Sequence, residues 1–286
     1  MNVTLPEKMK FNKKQLIIYI SILFVCIISI IIAFYVQFYA RIDIGRLVGI
    51  NSEVEFGNKT SEEVEELKNG FNQIFTNQIE DNGQNDSKKE EKDKSIVYTK
   101  YEKQESKLNS YELEIHIPHI NIKNEIVEQY NQEIENIFVK IAQNILKSEN
   151  KNIIYTVDYV ANIKDGILSV MIKSNFKKGA EAQKVIIQTY NYDLRNNKEI
   201  TLAEILKIEH LEQNTVQNMI KDEISKEQKK VEDLKKLGYN IYNRNVSSDI
   251  YSIENSTEFY LTDKTLYIIY AYGSETSTSE MDLIIL

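Results

Sequence analysis

The three histidines, His116, His119 and His210, are the residues best suited to bind a metal ion. His116 and His119 lie three residues apart where polar and apolar residues alternate, and side chains at that spacing on a strand point to opposite faces. His210 is far from both in the sequence. The only cysteine, Cys26, lies within an apolar run, so it cannot complete a zinc site with these histidines. We therefore expect no metal site and no cofactor.

Motifs that position a nucleophile or a phosphate are missing from the sequence. No serine lies in a G-x-S-x-G motif, and the nine glycines are scattered along the chain. Several acidic residues lie near the C-terminus, namely Glu258, Asp263, Glu275, Glu280 and Asp282. A hydrolase with two catalytic carboxylates needs different pKa values at a fixed separation, and no spacing here indicates such a pair. We predict that the chain is not an enzyme and has no catalytic residue.

Tyrosines near the C-terminus are better candidates, for binding rather than catalysis. Tyr260, Tyr267, Tyr270 and Tyr272 all lie within EFYLTDKTLYIIYAYGSE, residues 258–275. Alternation along a strand places Tyr270 and Tyr272 on one face and Tyr267 on the other. Tyrosine is enriched at binding interfaces, although core packing is the alternative explanation of such a cluster. The predicted partner-binding residues are Tyr270, Tyr272 and Glu275.

An apolar run at residues 16–39 is predicted to be a single transmembrane signal anchor. Its first 23 residues contain no charge and would extend about 34 Å as a helix, whereas the hydrocarbon core is about 30 Å thick. Four lysines precede the run, so the positive-inside rule places the tail, residues 1–15, in the cytoplasm and the C-terminal domain outside. The run exceeds the apolar region of a signal peptide, about 7–15 residues, and no A-x-A cleavage site follows it.

The net charge of the chain is −8 at pH 7, despite the basic tail. An acidic surface repels the phosphates of nucleic acid, so we expect no nucleic-acid partner. The same charge favours a cationic partner.

Residues 40–95 are predicted to form a juxtamembrane stalk helix and a flexible linker. Thr60 and Glu63 have the spacing of a capping box. Five apolar residues then recur at helical intervals: Val64, Leu67, Phe71, Ile74 and Phe75. This helix is expected to pack on the domain or on a second copy, with partner binding as the alternative. Residues 81–95, DNGQNDSKKEEKDKS, contain no large apolar residue, which is typical of a linker.

Residues 96–286 are predicted to form an α+β domain, in which a mostly antiparallel sheet is packed by two longer helices. Alternating or apolar segments predict strands at 111–117, 153–163, 167–174, 183–194, 257–262, 265–271 and 280–286. Apolar periodicity predicts helices at 124–147 and 211–236. Asp165-Gly166 favours a tight hairpin, and Pro118 is expected to end the first strand. Thr201 is the expected cap of a short helix, and Gly238 the expected end of the long one.

Three stretches of this domain resemble the extracytoplasmic domain shared by RsiV-type anti-sigma factors and PdaC-type peptidoglycan deacetylases. They are YELEIHIPHINIKNEIVEQYNQEIENI at 111–137, YNYDLRNNKEITLAEIL at 190–206 and TEFYLTDKTLYIIYAYGSE at 257–275. They occur in the family's order, and the resemblance covers about residues 96–286. It implies a membrane-anchored member that binds or senses a ligand at the cell wall, without a catalytic domain.

The sequence departs from the family pattern at several points. Asn196-Asn197 replaces Thr-Gly in one turn, and Lys264-Thr265 replaces the glycine of the last hairpin. The separate catalytic domain of the deacetylases has no counterpart here. Anti-sigma members hold their sigma factor with a cytoplasmic segment, whereas residues 1–15 are short for that task.

Three functional hypotheses follow. The first is a non-catalytic binding or sensing protein at the cell wall, whose partner is peptidoglycan or a cationic wall-active protein such as lysozyme. The second is an anti-sigma factor of the lysozyme-sensing type with a shortened cytoplasmic arm, which a sigma-factor gene immediately upstream would favour. The third is a wall-modifying enzyme of unfamiliar type, which unchanged muropeptides after incubation with the protein would argue against.

Overall fold

The computed structural model describes residues 59–75, 95–147, 152–272 and 280–286. The predicted tail and anchor, residues 1–39, lie outside these ranges, as does the predicted linker apart from Ser95. Within the described ranges, no helix is both long enough and apolar enough to cross a bilayer.

Six strands form the larger sheet in the order in which they occur along the chain. They are β1 (Val97–Lys107), β2 (Tyr111–Ile120), β3 (Ile153–Lys164), β4 (Ile167–Lys178), β5 (Lys184–Asp193) and β6 (Lys198–Glu199). Neighbouring strands are antiparallel except β2 and β3, which are parallel. A parallel pair needs a long crossover, and the helical segment between β2 and β3 supplies it. The predicted α+β class with a mostly antiparallel sheet is confirmed.

The helices and a smaller sheet complete the fold. Helix α1 is Ser61–Gly70, and α2 (Glu125–Ile134) continues through a π-helical turn, Glu135–Val139, into α3 (Lys140–Lys147). Helices α4 (Leu202–Ile208) and α5 (Gln213–Lys236) follow the larger sheet, and two short 3-10 turns precede the last strands. The smaller sheet is antiparallel, with β7 (Phe259–Leu261), β8 (Leu266–Tyr272) and β9 (Glu280–Ile285).

Local signals in the sequence account for most ends of these elements. Thr60 and Thr201 each form a complete capping box, with Glu63 and Glu204 respectively. In the β3–β4 turn, φ is 51° at Asp165 and 80° at Gly166, as the predicted tight hairpin requires. A Cβ atom at Gly166 would also lie 2.8 Å from Nε of Arg195, so the flexible side chain of Arg195 would have to move.

The prediction for the first strands was wrong in two respects. Strand β2 does not end at Pro118 but continues to Ile120. Its pairing with β3 stops at Ile115. Beyond that point β2 has a partner on one side only, where the missing N–H of a proline is tolerated. Strand β1 was not predicted at all. It pairs with β2 along its whole length, with an irregularity between Thr99 and Tyr101.

Three clusters of buried apolar side chains hold the elements together. The first fills the space between the larger sheet and α2–α3, on what we term the helix face of the sheet. The second lies between the smaller sheet and α4–α5. The third joins α1 and the smaller sheet to the opposite face of the larger sheet, which we term the layer face.

Helix α1 is part of the folded domain rather than a detached stalk. Phe71 and Phe75 are buried in the third cluster, and their rings are 5.8 Å apart in a T-shaped arrangement. The ring of Phe71 also lies 5.6 Å from that of Tyr267 on β8, and Lys68 forms an ion pair with Glu223 on α5. The folded unit therefore includes residues 59–75, and does not begin at residue 96 as expected.

Strand β7 is attached to the larger sheet through side chains. The N–H group of Phe259 donates a hydrogen bond to Thr189 Oγ1 at 3.2 Å, and its C=O group accepts one from Asn191 Nδ2 at 2.9 Å. The N–H group of Leu261 donates to Ser169 Oγ at 3.1 Å, and its C=O group accepts from Asn162 Nδ2 at 3.3 Å. Four polar side chains thus replace the neighbouring strand that β7 lacks on this side. Such buried bonds are costly to leave unmade, so they fix the position of the smaller sheet.

Asn191→Ala is expected to lower the free energy of unfolding by about 2 kcal/mol, because the buried carbonyl of Phe259 loses its donor. Asn162→Ala is the matched control, since Asn162 is only half-buried and its bond is longer. We expect Asn162→Ala to lower the free energy of unfolding by less than about 1 kcal/mol. Urea denaturation of both variants measures the difference, and equal losses would show that the buried bond is not the stronger attachment.

Candidate functional site

The tyrosines predicted to bind a partner are largely inside the protein. Tyr270 and Tyr272 are 8% and 6% exposed, and both belong to the apolar cluster between the smaller sheet and α4–α5. Tyr267 lies on the other face of β8, as alternation predicted, in the cluster that contains Phe71. Glu275 lies outside the described residues.

The hydroxyl groups of these tyrosines are used within the core. The Tyr272 hydroxyl lies 2.9 Å from that of Tyr251, and the Tyr270 hydroxyl lies 2.6 Å from Ser256 Oγ. Burial raises the pKa of Tyr270 to about 12. The ring of Tyr242 stacks on Tyr272 with centroids 4.4 Å apart. The face shared by Tyr270 and Tyr272 therefore packs and hydrogen-bonds internally, and little of either side chain is accessible to a partner.

Three of the acidic residues near the C-terminus, Glu258, Glu280 and Asp282, also have partners in the described structure. Asp282 forms a bidentate ion pair with Arg244, at 2.6 Å and 2.7 Å, and Glu280 contacts the same guanidinium at 2.9 Å. Glu258 accepts a bond of 2.6 Å from the backbone N–H of Thr189, and burial raises the pKa of its carboxyl group. Asp282 and Glu280 share one guanidinium group, and Glu258 lies in a separate contact; both contacts join the last strands to their surroundings.

The three histidines are not brought together. His116 Nδ1 lies 2.8 Å from Asp158 Oδ1 on β3, whereas the ring of His119 packs at 5.3 Å against Tyr98 on β1. Burial lowers the pKa of His119. His210 has a left-handed backbone conformation, with φ of 57°, just after α4. Among the residues that the structure describes, no group of three His, Cys, Asp or Glu side chains is arranged to hold a metal ion.

A groove lies on the layer face, where the covering formed by α1 and the smaller sheet ends. Val160, Met171 and Ile187 are buried beneath this covering. Further along the same face, Thr156, Asp158 and Lys173 are half-buried, and Glu112 and Glu114 on β2 are exposed. The groove lies where the covered half of the sheet meets the uncovered half, and its volume is about 460 Å³. That volume is within the range of small-molecule sites, about 300–1,000 Å³.

Polar and apolar surfaces contribute about equally to the groove, and we term its two apolar residues, Phe75 and Val185, the apolar back. Its lining consists of five polar residues and two apolar ones: Asn72, Asp158, Lys173, Asn175, Gln183, Phe75 and Val185. Asn72 and Phe75 come from the segment after α1, and the others come from β3, β4, β5 and the turn before β5. We term residues 61–75, which comprise α1 and the residues that follow it, the α1 segment. The groove exists only while this segment is packed on the sheet.

The polar side chains of the groove hold one another in place. Lys173 Nζ donates a hydrogen bond to Asn72 Oδ1 and lies 5.8 Å from the centre of the Phe75 ring. Asn175 donates to Thr156 Oγ1 at 3.1 Å and accepts from Gln183 Nε2 at 3.3 Å. Side chains that are already fixed lose less freedom when a ligand binds.

Lys173 and Asp158 form the charged part of the groove. They face each other across β3 and β4, and Asp158 is held by its contact with His116. Burial lowers the pKa of the Lys173 ammonium group, and the nearby charge of Asp158 opposes this shift. The groove thus offers one cationic donor beside one anionic acceptor. This pair suits hydrogen bonding to a ligand that has both an acceptor and a donor.

None of the polar residues of this groove is among the site residues predicted from the sequence. One signal could have found two of them, because a two-residue turn at Asp165-Gly166 sets the register that places Asp158 opposite Lys173. No local pattern indicated where the α1 segment would pack. Asn72 therefore could not have been assigned to the same site from the sequence.

No protein-family model and no curated protein matches the chain. Among solved structures, it is similar to a DUF3298 family member from Bacteroides fragilis, with 13% identity and a TM-score of 0.32 over 60% of this chain and 80% of that one. A DUF3298 family protein from Pseudomonas aeruginosa gives 12% identity and a TM-score of 0.35, over 65% of this chain and 85% of that one. Likenesses this distant carry no conclusion about function.

Proposed function

We propose that this chain is a single-pass membrane protein whose extracytoplasmic domain binds a component of the cell wall without catalysing a reaction. The predicted anchor, the acidic charge and the resemblance to RsiV- and PdaC-type domains support this proposal. The observation that carries it is the groove, a concave site whose polar side chains are held by hydrogen bonds. Ligand sites are usually concave, and converging polar groups in them fix the orientation of the ligand.

The uncovered half of the layer face supports contact with a larger partner around the groove. Glu102, Glu112 and Glu114 are exposed on adjacent strands, and their positions alternate with residues of the helix face. A cationic wall-active protein such as lysozyme is therefore the second candidate partner. Its binding would weaken with added salt, because exposed charges are screened.

Co-sedimentation with insoluble cell-wall sacculi tests the proposal on the full-length chain purified in detergent. We expect the wild-type protein to pellet with sacculi, and Lys173→Met to pellet less. Lys177→Met is the matched control, because Lys177 lies on the same strand and face but does not line the groove. It should pellet like the wild type.

Calorimetry with lysozyme at low and high salt forms the second arm of this test. Heat of binding that falls with added salt would support the cationic partner. Absence of both pelleting and heat would contradict the proposed function.

A further inference from the structure

The groove carries three kinds of group side by side. Lys173 supplies a cationic donor, Asp158 supplies an anionic acceptor, and Phe75 and Val185 supply an apolar back. The two charges are of opposite sign, so the charged pair has no net preference for an anion or a cation. A neutral ligand that presents an acceptor, a donor and a small apolar group close together would use all three.

An acetamido group has this combination of features. Its carbonyl oxygen accepts a hydrogen bond, its N–H donates one, and its methyl group is apolar. A hydroxyl group in the same place would lack the methyl and would reach fewer of the three groups.

The remaining polar residues favour a ligand with several hydroxyl groups. The amide side chains of Asn175 and Gln183 continue the groove beside the charged pair, and Gln183 is exposed. Amide groups can both donate to and accept from hydroxyls. Their mutual hydrogen bond at 3.3 Å orients them before a ligand arrives.

We infer that the groove is a saccharide subsite that selects an N-acetylated amino sugar. This inference rests on the proposed function and names the ligand class of the same site. The acetamido group is placed against Lys173, Asp158 and the apolar back, and the ring hydroxyls against Asn175 and Gln183.

Calorimetry of the full-length chain in detergent tests this assignment with three probes. The first is N,N′,N″-triacetylchitotriose, and the second is cellotriose, which has the same linkage but a hydroxyl in place of each acetamido group. The third is trialanine, which presents amide and methyl groups without a sugar ring. We expect triacetylchitotriose to bind at least tenfold more tightly than either of the others.

Substitutions in the groove locate the binding. Lys173→Met and Gln183→Ala should each weaken binding of triacetylchitotriose, the first by at least tenfold. Lys177→Met should leave it unchanged. Thermal unfolding of each variant shows that it is folded, and Gln183 is exposed enough that its replacement does not disturb the core.

Three results would overturn the inference. They are equal affinity for cellotriose, tighter binding of trialanine, and wild-type affinity in Lys173→Met. Pelleting with sacculi without binding of triacetylchitotriose would reject the ligand class and leave the proposed function standing. If the protein neither pellets with sacculi nor binds triacetylchitotriose, both the ligand class and the proposed binding to the cell wall are rejected.

Discussion

Asp282→Ala is expected to lower the free energy of unfolding by about 3–5 kcal/mol. Asp282 and Arg244 have side chains that are 1% and 3% exposed, and they form a bidentate pair. Burial alone would lower the pKa of Arg244, but the bonds and charges of Asp282 and Glu280 raise it. Alanine would therefore leave a buried guanidinium group without its main partner.

The surroundings of this pair explain why the loss is not easily relieved. Arg244 lies 5.0 Å from the centre of the Tyr272 ring and donates to the carbonyl oxygen of Tyr242 at 3.2 Å. The guanidinium group is thus held on several sides and cannot turn to solvent without disturbing the stacked tyrosines. The pair joins β9 to the loop after α5.

Two further variants separate the ion pair from packing. Glu280→Ala should cost less, about 1 kcal/mol, because that carboxylate makes one contact with the guanidinium group and is 19% exposed, against 1% for Asp282. The double variant Arg244→Met with Asp282→Leu should recover most of the loss, since no buried charge remains. Urea denaturation followed by tyrosine fluorescence measures all three, because the chain has 18 tyrosines and no tryptophan. A loss below about 1 kcal/mol for Asp282→Ala would contradict this account.

Phe71→Ala is expected to release the α1 segment from the domain. Removing a buried phenylalanine ring costs about 3–5 kcal/mol, and Phe71 is 1% exposed between Phe75 and Tyr267. The rest of the sheet keeps its own core, so the loss should appear as local opening of residues 61–75. Hydrogen–deuterium exchange should show faster exchange of amides in this segment and little change in β3 and β4.

Val64→Ala is the matched control for Phe71→Ala. Val64 lies on the same stripe but is only partly buried, so its shortening should accelerate exchange much less. Release of the segment also removes Asn72 and Phe75 from the groove, so Phe71→Ala should reduce pelleting with sacculi as well. Unchanged exchange at residues 61–75 would show that Phe71 does not hold the segment in place.

The sequence predicted those features that depend on neighbouring residues. The capping box at Thr60, the helix cap at Thr201, the hairpin at Asp165-Gly166 and the end of α5 near Gly238 are examples. Asn197 replaces glycine in the turn before β6 and has φ of 52°, a conformation that asparagine tolerates better than most residues. The turn therefore forms without the glycine that the RsiV- and PdaC-type pattern has at this point.

Features that depend on distant parts of the chain were not predicted. Strand β1 is rich in charged residues, so its weak alternation gave little sign that it would pair with β2. Parallel pairing of β2 and β3 depends on how the helix between them packs, which short-range patterns do not specify. The binding face assigned to Tyr270 and Tyr272 was equally consistent with core packing, and α4 and α5 bury it.

The most direct test of binding in the groove is hydrogen–deuterium exchange of the full-length chain with and without soluble cell-wall fragments. Two separate parts of the chain line the groove, namely the segment that contains Asn72 and Phe75 and the part of the sheet between Asp158 and Val185. We predict slower exchange in both parts when fragments are present, and no change in α5. Protection that is absent, or that is confined to regions outside the groove, would contradict the account.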